Sequence, residues 1–315
     1  MRHPALHSLV LGLLALGPGL DGSPTEALAR HEFRRSVMGT EARLVLYAPS
    51  AAVAREAGGA AFERMLAIEA VASDWIADSE LSRLGRAAGT HALAISDPLF
   101  EVLTQAREVA ARTGGRFDPT SGPLTQLWRQ HRAAHTLPAQ DELEAARALV
   151  DWRALELDAE HRTARLARPG MRLDLGGIAK GYACDAALAV LEEHGCGSAL
   201  VELGGDLVVG APPPEQAAWS ITIDCGSGAE PRELLLVRQA VATSGDAFQF
   251  TEVAGERYSH VLDTGTGLGL RTGLCTTVVA PTGALADALA TALNVAGPAA
   301  GSDLAGRFEG VRLAR

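Results

Sequence analysis

The six residues Ala286-Asp287-Ala288-Leu289-Ala290-Thr291 combine an apolar helix pattern with two isolated oxygen-bearing side chains. They lie within residues 282–296, which predict a helix begun by Thr282 as its N-cap and ended by Gly297. Asp287 and Thr291 are four residues apart and therefore share one face of that helix, roughly 6 Å apart along its axis. A carboxylate and a hydroxyl suit Mg²⁺ when water and phosphate supply its other ligands. The alternative is a helix with two polar residues on its solvent side.

The composition is that of an ordinary globular protein with an acidic balance. The chain has 315 residues, of which 47% are hydrophobic and 21% are charged, and its formal net charge is −10. Because no run of Lys and Arg offers a basic face, we expect no nucleic-acid partner. The negative charge would also repel an anionic ligand, so a phosphate group would need a cation or helix N-termini to hold it.

The N-terminus has the layout of an export signal. Arg2 and His3 precede the apolar run Leu9–Leu16, and small turn-forming residues follow. This run is too short to span a bilayer, which favours a cleaved secretory signal over an uncleaved anchor. No other stretch is long and apolar enough to cross a membrane. We therefore expect residues 1–29 to be the signal peptide, with an approximate boundary, and residues 30–315 to form one exported, periplasmic domain.

The four cysteines leave two possibilities open. They are Cys184, Cys196, Cys225 and Cys275, and none forms a Cys-x-x-Cys motif, so a zinc or redox motif is not indicated. In an exported protein they could pair as disulfides. They could equally be buried free thiols, because a chain of this length builds a core without cross-links.

Hydrophobic periodicity predicts a mixture of helices and strands. Besides residues 282–296, the predicted helices are Ala51–Ser73, the segment from Asp97-Pro98 to Gly114-Gly115, Asp141–Val150 and about Gly177–His194. The predicted strands are His31–Tyr47 around Met38-Gly39-Thr40, a hairpin of Ala154–Asp158 with Arg162–Ala167, Ala199–Val209, Trp219–Asp224, Glu233–Val237, Phe248–Val253, Arg257–Leu262 and Cys275–Ala280. Since these elements show no regular βαβ rhythm, they predict an α+β fold.

Several further segments are rich in Gly, Asp, Ser and Thr among apolar neighbours. They are Ser73–Ser82, Gly115–Leu124, Leu173–Tyr182, Glu202–Asp206, Thr243–Asp246 and Tyr258–Gly267. Each has a structural interpretation as a turn or a cap. In Leu173–Tyr182 two glycines precede a helix, whose N-terminus favours phosphate, although the spacing is not that of a P-loop. His260 is predicted on a strand before an Asp- and Gly-rich turn, as either a structural or a catalytic residue.

Eight pieces of sequence occur in the order found in one family. They are Met38-Gly39-Thr40, Asp78–Ser82, Phe117–Thr120, Asp174–Gly181, Gly204-Gly205-Asp206, Thr243–Asp246, Ser259–Asp263 and Ala286–Thr291. Over about residues 32–300 the chain resembles the FAD:protein FMN transferase family, also called ApbE-like. The resemblance implies an α+β fold of mixed or antiparallel sheets with packed helices. It also implies Mg²⁺-dependent transfer of the FMN half of FAD to a Thr or Ser hydroxyl of an exported acceptor protein, with release of AMP.

The resemblance also implies roles for residues at matching positions. The flavin end of FAD would contact Met38 and Trp75, the latter standing where the family commonly has Tyr. Mg²⁺ would bind the carbonyl of Gly177 and the side chains of Asp287 and Thr291. Further contacts with FAD would come from Arg116, Phe117, Asp118, Asp174, Lys180 and Leu262.

The chemistry of a diphosphate implies the mechanism. The acceptor hydroxyl would attack the flavin-side phosphorus in line and AMP would leave, while Mg²⁺ would neutralise the developing charge and Lys180 would assist. His260 is the candidate base for the hydroxyl. Asp287 is a second candidate catalytic residue, because it would hold the metal.

Three further residues depart from the family pattern. Thr264 replaces the Pro that usually follows the Asp of the His-x-x-Asp turn. Glu202 stands where Asn is frequent and is expected to add a carboxylate near the nucleotide, and Arg129 stands where the family often has Gly. These departures affect the expected substrate fit and rate more than the fold.

Two other functions would use the same residues. With water as the nucleophile, the site would split FAD into FMN and AMP as a Mg²⁺-dependent pyrophosphatase. An exported flavin-binding protein without chemistry is the second alternative. Asp287 and Thr291 argue against it, because flavin storage needs no metal at the diphosphate.

Overall fold

The computed structural model describes residues 27–224, 230–245 and 250–314. Residues 1–26 of the predicted signal peptide, Cys225, Asp246 and the start of the strand predicted from Phe248 lie outside these ranges. Within them, helices and strands alternate irregularly along the chain, and the sheets are antiparallel. The predicted α+β class is thereby confirmed.

The helices in the described part of the chain agree with the periodic segments, with two additions. They are α1 Ala51–Ala72, α2 Glu80–Arg86, α3 Asp97–Thr113, α4 Gly122–Ala134, α5 Gln140–Arg147, α6 Ala179–Glu193 and α7 Gly283–Ala305, with a 3₁₀ turn at Trp152–Ala154. The prediction had no helix at α2 or α4. The interpretation of Ser73–Ser82 as a turn or a cap does not include α2. In the structure the hydroxyl of Ser79 caps this helix by accepting a hydrogen bond from the amide of Ser82. The segment Gly115–Leu124 has a sequence interpretation as a turn or a cap, whereas Pro123 within it stands in the first turn of α4, where proline is favoured.

In the described ranges the strands form one large sheet and four small ones. They are β1 Ala29–Val37, β2 Thr40–Ala48, β3 Leu93–Ala94, β4 Leu155–Asp158, β5 Thr163–Leu166, β6 Ala199–Leu203, β7 Asp206–Val209, β8 Trp219–Ile223, β9 Arg232–Leu236, β10 Gln239–Gly245, β11 Phe250–Val253, β12 Glu256–Ser259, β13 Leu262–Asp263, β14 Leu268–Gly269, β15 Cys275–Ala280 and β16 Arg312–Ala314. The large sheet has the order β1-β2-β6-β7-β10-β15-β16, and every neighbouring pair in it is antiparallel.

Two predictions for the large sheet were wrong in detail. The segment 199–209 is not one strand but the hairpin β6–β7, which turns at Gly204 and Gly205 with φ of 58° and 94°. Thr243-Ser244-Gly245 is not a turn but the end of β10, because its backbone pairs with β15. Pairing with a neighbouring strand overrides the turn preference of these small polar residues.

Both faces of the central sheet are covered. Along β2, Leu44 and Leu46 face the core that contains α1, α6 and α7, while Val45 between them belongs to a second cluster. That second cluster lies under the β8–β9 hairpin and includes Trp219 and Leu236. The alternation follows from the two-residue period of a strand and gives β2 a nearly continuous apolar sequence.

At Gly181 and Gly283, helices α6 and α7 approach each other with no side chain between their backbones. A Cβ atom on Gly181 would lie 2.0 Å from the carbonyl oxygen of Gly283, and one on Gly283 would lie 2.4 Å from the carbonyl oxygen of Gly181. Because both residues lack a Cβ, the two backbones approach directly. This contact places the first turn of α6 against the first turns of α7.

The start of α7 is fixed by two side chains. Asp185 of α6 accepts hydrogen bonds from the amides of Gly283 (2.7 Å) and Ala284 (2.9 Å), and Thr282 accepts one from Leu285 (3.3 Å). Burial raises the pKa of Asp185 to about 6, although both backbone bonds act to lower it. The predicted cap Thr282 is therefore confirmed, and Asp185 joins α6 to α7 in addition.

The helix α7 is interrupted at Gly297, where its end was predicted, but it does not end there. Gly297 has φ of 71° and ψ of 173°, which interrupts the helix, and Pro298 follows it. A further helical segment then continues to Ala305.

Replacing Gly181 by Ala should separate α6 from α7. The added methyl group would overlap the carbonyl of Gly283, so we expect the free energy of unfolding to fall by about 1–3 kcal/mol in urea denaturation. The matched control is Gly59→Ala in the middle of α1, where a Cβ meets nothing within 4 Å. That change should stabilise the protein by about 0.5–1 kcal/mol. A Gly181→Ala variant as stable as the wild type would contradict this account of the crossing.

Candidate active site

A cavity of about 790 Å³ opens at one end of the central sheet. Its wall includes the β1–β2 turn, the β6–β7 turn and the end of β10, together with the loops that precede α2, α4 and α6. The first turns of α6 and α7 contribute the remaining polar side chains. A cavity of this volume is in the usual range for small-molecule sites.

All residues that the sequence singled out for a site line this cavity. They are Met38, Trp75, Arg116, Phe117, Asp118, Asp174, Gly177, Lys180, His260, Leu262, Asp287 and Thr291. The fold thus collects side chains from segments that lie far apart in the sequence, and none of these residues is left elsewhere on the molecule. Their individual roles stay predictions.

Two tight turns shape one wall of the cavity. Met38 and Gly39 connect β1 to β2 with φ of 51° and 72°, the positive angles that suit a two-residue hairpin turn. Gly204 lies close to the same turn, since a Cβ on it would lie 2.8 Å from the Thr40 side chain. Met38 is consequently held half-buried at the cavity wall.

Asp174 organises the turn that leads into α6. Its Oδ1 accepts a hydrogen bond from the amide of Gly176 (2.8 Å), and its Oδ2 accepts one from the Thr125 hydroxyl (2.6 Å). Its own amide donates to the carbonyl of Pro119 (2.8 Å). Asp174 therefore ties the α6 turn to α4 and its preceding loop, while its side chain still lines the cavity.

Lys180 lies between two buried carboxylates at the base of the cavity. Its Nζ is 2.6 Å from Oδ2 of Asp206 and 3.2 Å from Oδ2 of Asp287. The amide of Gly181 donates to the same oxygen of Asp287 at 3.3 Å. The side chains of Asp206 and Asp287 are 4% and 7% exposed, so this is a mostly buried group of one cation and two acids.

Burial and charge act in opposite directions on these groups. Burial lowers the pKa of Lys180, but the carboxylates of Asp206 and Asp287 raise it by more, so the lysine stays charged. Burial, reinforced by the charge of Asp287, raises the pKa of Asp206 against the opposing effect of Lys180. With one positive and two acidic groups, the site is short of positive charge.

Gly177, Asp287 and Thr291 form a donor set that fits a hard cation. A Cβ on Gly177 would lie 2.9 Å from Oγ1 of Thr291, so the Gly177 backbone and this hydroxyl face each other directly. Among the residues that the structure describes, Thr291 Oγ1 has no hydrogen-bond partner. The alternative that both polar residues of α7 face solvent is wrong for Asp287, which is 5% exposed. A carboxylate, a hydroxyl and a carbonyl are the oxygen donors that Mg²⁺ prefers.

Asp118 has a structural task besides lining the cavity. Its Oδ1 accepts hydrogen bonds from the amide (2.8 Å) and hydroxyl (2.6 Å) of Thr120, and its Oδ2 accepts one from the amide of Trp152 (3.2 Å). Burial raises its pKa against these bonds. Phe117 beside it is 4% exposed and packs near Gly177, so this loop forms a rigid wall.

Trp75, His260 and Leu262 lie at the more open part of the cavity. Trp75 is 76% exposed, which is unusual for so large an apolar side chain. The prediction of one strand from Arg257 to Leu262 was wrong, because His260 lies in a bend between β12 and β13 and is exposed. Leu262 follows on β13 and is half-buried.

Asp206 is the site residue that sequence reasoning passed over. Its segment Gly204-Gly205-Asp206 was noted, but the carboxylate received no role. The sequence did contain a signal for it, because Asp206 is a charged residue at the start of an apolar strand. A carboxylate buried there needs a partner. That partner is Lys180.

Two of the departures from the family pattern have clear contacts. Glu202 accepts hydrogen bonds from Nε (2.8 Å) and Nη2 (2.6 Å) of Arg43 on the neighbouring strand. It does not line the cavity, so the expectation that it lies near the nucleotide was wrong. Thr264 donates from its hydroxyl to the carbonyl of Gly115 at 3.1 Å and joins two loops of the cavity wall.

The cysteine possibilities are resolved in part. Cys184 and Cys196 are buried free thiols. Cys275 is disulfide-bonded. Both alternatives left open by the sequence therefore occur in this chain.

The described part of the chain holds neither a cluster of metal-ligating side chains nor a membrane-spanning helix. Within residues 27–224, 230–245 and 250–314, no three side chains of His, Cys, Asp or Glu come together as a metal site. No helix in the same ranges has the length and apolar character of a membrane span. A cation at Asp287 would therefore also need backbone, hydroxyl, water or phosphate oxygens as ligands.

Comparison with known proteins agrees with this geometry. The profile of the ApbE family matches residues 38–313. An FAD:protein FMN transferase of Chlamydia muridarum is 34% identical over 231 residues, which cover 72% of this chain and 72% of that protein.

Solved structures share the fold. The ApbE protein of Thermotoga maritima superposes with a TM-score of 0.79 at 28% identity and covers 90% of this chain and 93% of its own. The apo form of the flavinyl transferase ApbE of Pseudomonas stutzeri gives 0.79 and 28%, with 89% of each chain covered. Fold and sequence therefore define this protein as an enzyme of the transferase class. The chain belongs to the ApbE family, as its sequence resemblance implied.

Replacing Lys180 by Met should leave two buried carboxylates without a cation. We expect the free energy of unfolding to fall by about 3–5 kcal/mol at pH 8 without divalent ions, measured by denaturant unfolding. Without Lys180, the cation that opposes the effect of burial on the pKa of Asp206 is gone, so the folded variant should bind a proton at this centre more tightly than the folded wild type does. The loss should therefore shrink as the pH falls from about 8 to 5.

The double variant Lys180→Met/Asp206→Asn is the control for this charge effect. Removing one carboxylate should recover a large part of the lost stability at pH 8. A loss that is equally large at both pH values, or that Asp206→Asn does not reduce, would show that Lys180 acts by packing.

Proposed function

We propose that this enzyme transfers FMN from FAD to a Thr or Ser hydroxyl of an exported acceptor protein, uses Mg²⁺ and releases AMP. The observation that carries the proposal is the arrangement of Lys180, Asp206 and Asp287 in the same cavity wall as the Gly177 backbone and the Thr291 hydroxyl that faces it. Family membership supports the flavin transfer, since the Chlamydia muridarum relative is named FAD:protein FMN transferase.

The charge balance supports the need for a divalent cation. Lys180 is already paired with Asp206 and Asp287, so it brings no net positive charge to a bound diphosphate. The whole chain carries −10, which would repel the same ligand. A divalent cation would add positive charge at this centre and would make the site attractive to an anion.

Three oxygens would hold that cation. They are the carbonyl of Gly177, the carboxylate of Asp287 and the hydroxyl of Thr291. When bound, Mg²⁺ would supply neutralisation of the charge that develops on the phosphoryl oxygens. Lys180 and the amide of Gly181 keep Asp287 oriented through hydrogen bonds to one of its oxygens. Asp206 in turn holds Lys180 in place.

The transfer step needs a base and an open approach. The hydroxyl oxygen of the acceptor forms a bond to the flavin-side phosphorus, and the bond from that phosphorus to the AMP oxygen breaks. His260 takes the hydroxyl proton and later gives it to solvent, and AMP leaves with the electron pair of the broken bond. Exposure of His260 at the cavity supports this role, because an incoming protein segment must reach its base.

The remaining predicted contacts fit the two ends of FAD. Trp75 offers an exposed indole and Met38 a half-buried thioether, both suited to the flat flavin ring. Arg116, Phe117, Asp118, Asp174 and Leu262 would line the rest of the FAD site. The reacting diphosphate would then lie near α6 and α7.

We also propose that the enzyme acts outside the cytoplasm. The layout of residues 1–29 supports removal of a signal peptide, and residues 30–315 would then form the mature periplasmic transferase domain. The disulfide bond of Cys275 supports an oxidising compartment.

Metal dependence should disappear with Asp287. Incubation of the protein with FAD, Mg²⁺ and a candidate acceptor should add the mass of FMN to the acceptor, as measured by mass spectrometry. Asp287→Asn should lower the rate by at least about 100-fold, and chelation of Mg²⁺ should have the same effect on the wild type. Free FMN without an adduct would indicate the pyrophosphatase instead, and unchanged FAD would indicate a flavin carrier. Full activity of Asp287→Asn would exclude the metal assignment.

His260→Ala should slow transfer without weakening FAD binding. As a general base, His260 would contribute about 10²–10⁴-fold to the rate, so the adduct should form that much more slowly at saturating FAD. His161→Ala is a suitable control, because His161 is exposed and does not line the cavity. A wild-type rate in His260→Ala with FAD still bound would remove His260 from the mechanism.

A further inference from the structure

The loop between α1 and α2 presents one large side chain to the cavity. Its backbone is fixed by hydrogen bonds from the Ser79 hydroxyl to the carbonyl of Ser73 (2.6 Å) and from the amide of Trp75 to the hydroxyl of Ser73 (3.2 Å). These bonds hold the main chain but leave the indole of Trp75, which is 76% exposed. A solvent-exposed indole needs a further contact if it is to keep one orientation.

Arg129 of α4 supplies that contact. Its guanidinium carbon lies 4.0 Å from the centre of the Trp75 ring, and its Nη1 is 2.5 Å from Oδ2 of Asp74. One planar group therefore holds two consecutive residues of the loop, by stacking and by an ion pair. Arg129 is itself only 29% exposed, so the contact is partly shielded from water.

The charge of Arg129 is already used within this cluster. Asp74 is 19% exposed, and it has Arg129 as its ion-pair partner. Because the guanidinium is paired at 2.5 Å, it is poorly suited to bind a phosphate of the substrate. Arg129 instead acts on the cavity through Trp75, because it covers one face of the indole. The high exposure of Trp75 leaves the other face open.

We propose that Arg129 is a positioning residue for the flavin ring, holding the indole of Trp75 as a fixed platform on whose open face the flavin stacks. This inference rests on the proposed function for the identity of the flat ligand. The order of the stack is guanidinium, indole and flavin. Lys in place of Arg129 could not stack and form the ion pair with Asp74 at once, because an ammonium group is not a planar fork.

The test measures binding of FMN and of AMP separately, at fixed Mg²⁺ concentration, by titration calorimetry. Arg129→Met should weaken FMN and FAD by about tenfold and leave AMP unchanged, because only the flavin end meets Trp75. Arg129→Lys should give a smaller loss in the same direction. Arg112→Met is the matched control, since Arg112 stacks on Phe308 at 3.8 Å outside the cavity and its loss should alter neither affinity.

A double-mutant cycle separates positioning from a general structural effect. In a Trp75→Ala background, Arg129→Met should cause no further loss of FMN affinity, since the platform is already gone. If Arg129→Met does not fold, Asp74→Asn breaks the ion pair from the other side and should also weaken FMN but not AMP.

Three results would overturn the inference. They are wild-type FMN affinity in Arg129→Met, an equal loss of FMN and AMP affinity, and a persisting effect of Arg129→Met without Trp75. A wild-type protein that binds no flavin would instead contradict the proposed function. A protein that binds FMN selectively through Arg129 but forms no acceptor adduct would keep this inference and refute the transfer.

Discussion

The site depends on the direct backbone contact between Gly181 of α6 and Gly283 of α7. Since neither residue has a Cβ, the helices cross closely enough for the amide of Gly181 to donate to Asp287 at 3.3 Å. The same approach brings Lys180 within 3.2 Å of that carboxylate, although the two residues are 107 positions apart. Asp185, which caps α7 from α6, fixes the crossing further. The position of the polar centre is therefore set by two residues without side chains.

Charge is the second constraint. The half-buried Lys180 between Asp206 and Asp287 is stable because each acid offsets the partial desolvation of the ammonium group. Nearby residues of α7 are apolar, with Ala286 and Ala288 fully buried. The arrangement leaves the site without net positive charge, in a protein that is acidic overall. The same three charged residues, Lys180, Asp206 and Asp287, therefore hold the two helices and the β6–β7 hairpin together and create the proposed need for a divalent cation. Elsewhere in the cavity wall, Arg129 likewise pairs with a carboxylate, that of Asp74, and it also stacks on the Trp75 ring.

Most of the fold could be predicted from local pattern. The period of α1 and α3, the β1–β2 turn at Met38 and the hairpin β4–β5 are all visible in the sequence, because each depends on neighbours a few residues away. Helix α4 was missed because its Gly-Pro start resembles a loop, and β10 because its end is polar and small. His260 was assigned to a strand that the bend before β13 interrupts. In each case, packing against distant segments decided between two local possibilities.

Apart from Asp206, the sequence by itself singled out the residues proposed for the site. It determined the face shared by Asp287 and Thr291, since the helical period requires only their spacing. It also determined the family, through motifs in a fixed order. Only the tertiary structure decided that Lys180 lies between Asp206 and Asp287, that Glu202 turns to Arg43 and that Arg129 covers Trp75. These contacts join segments distant in the chain, and the close crossing of helices and strands that creates them leaves no periodic signal in the sequence.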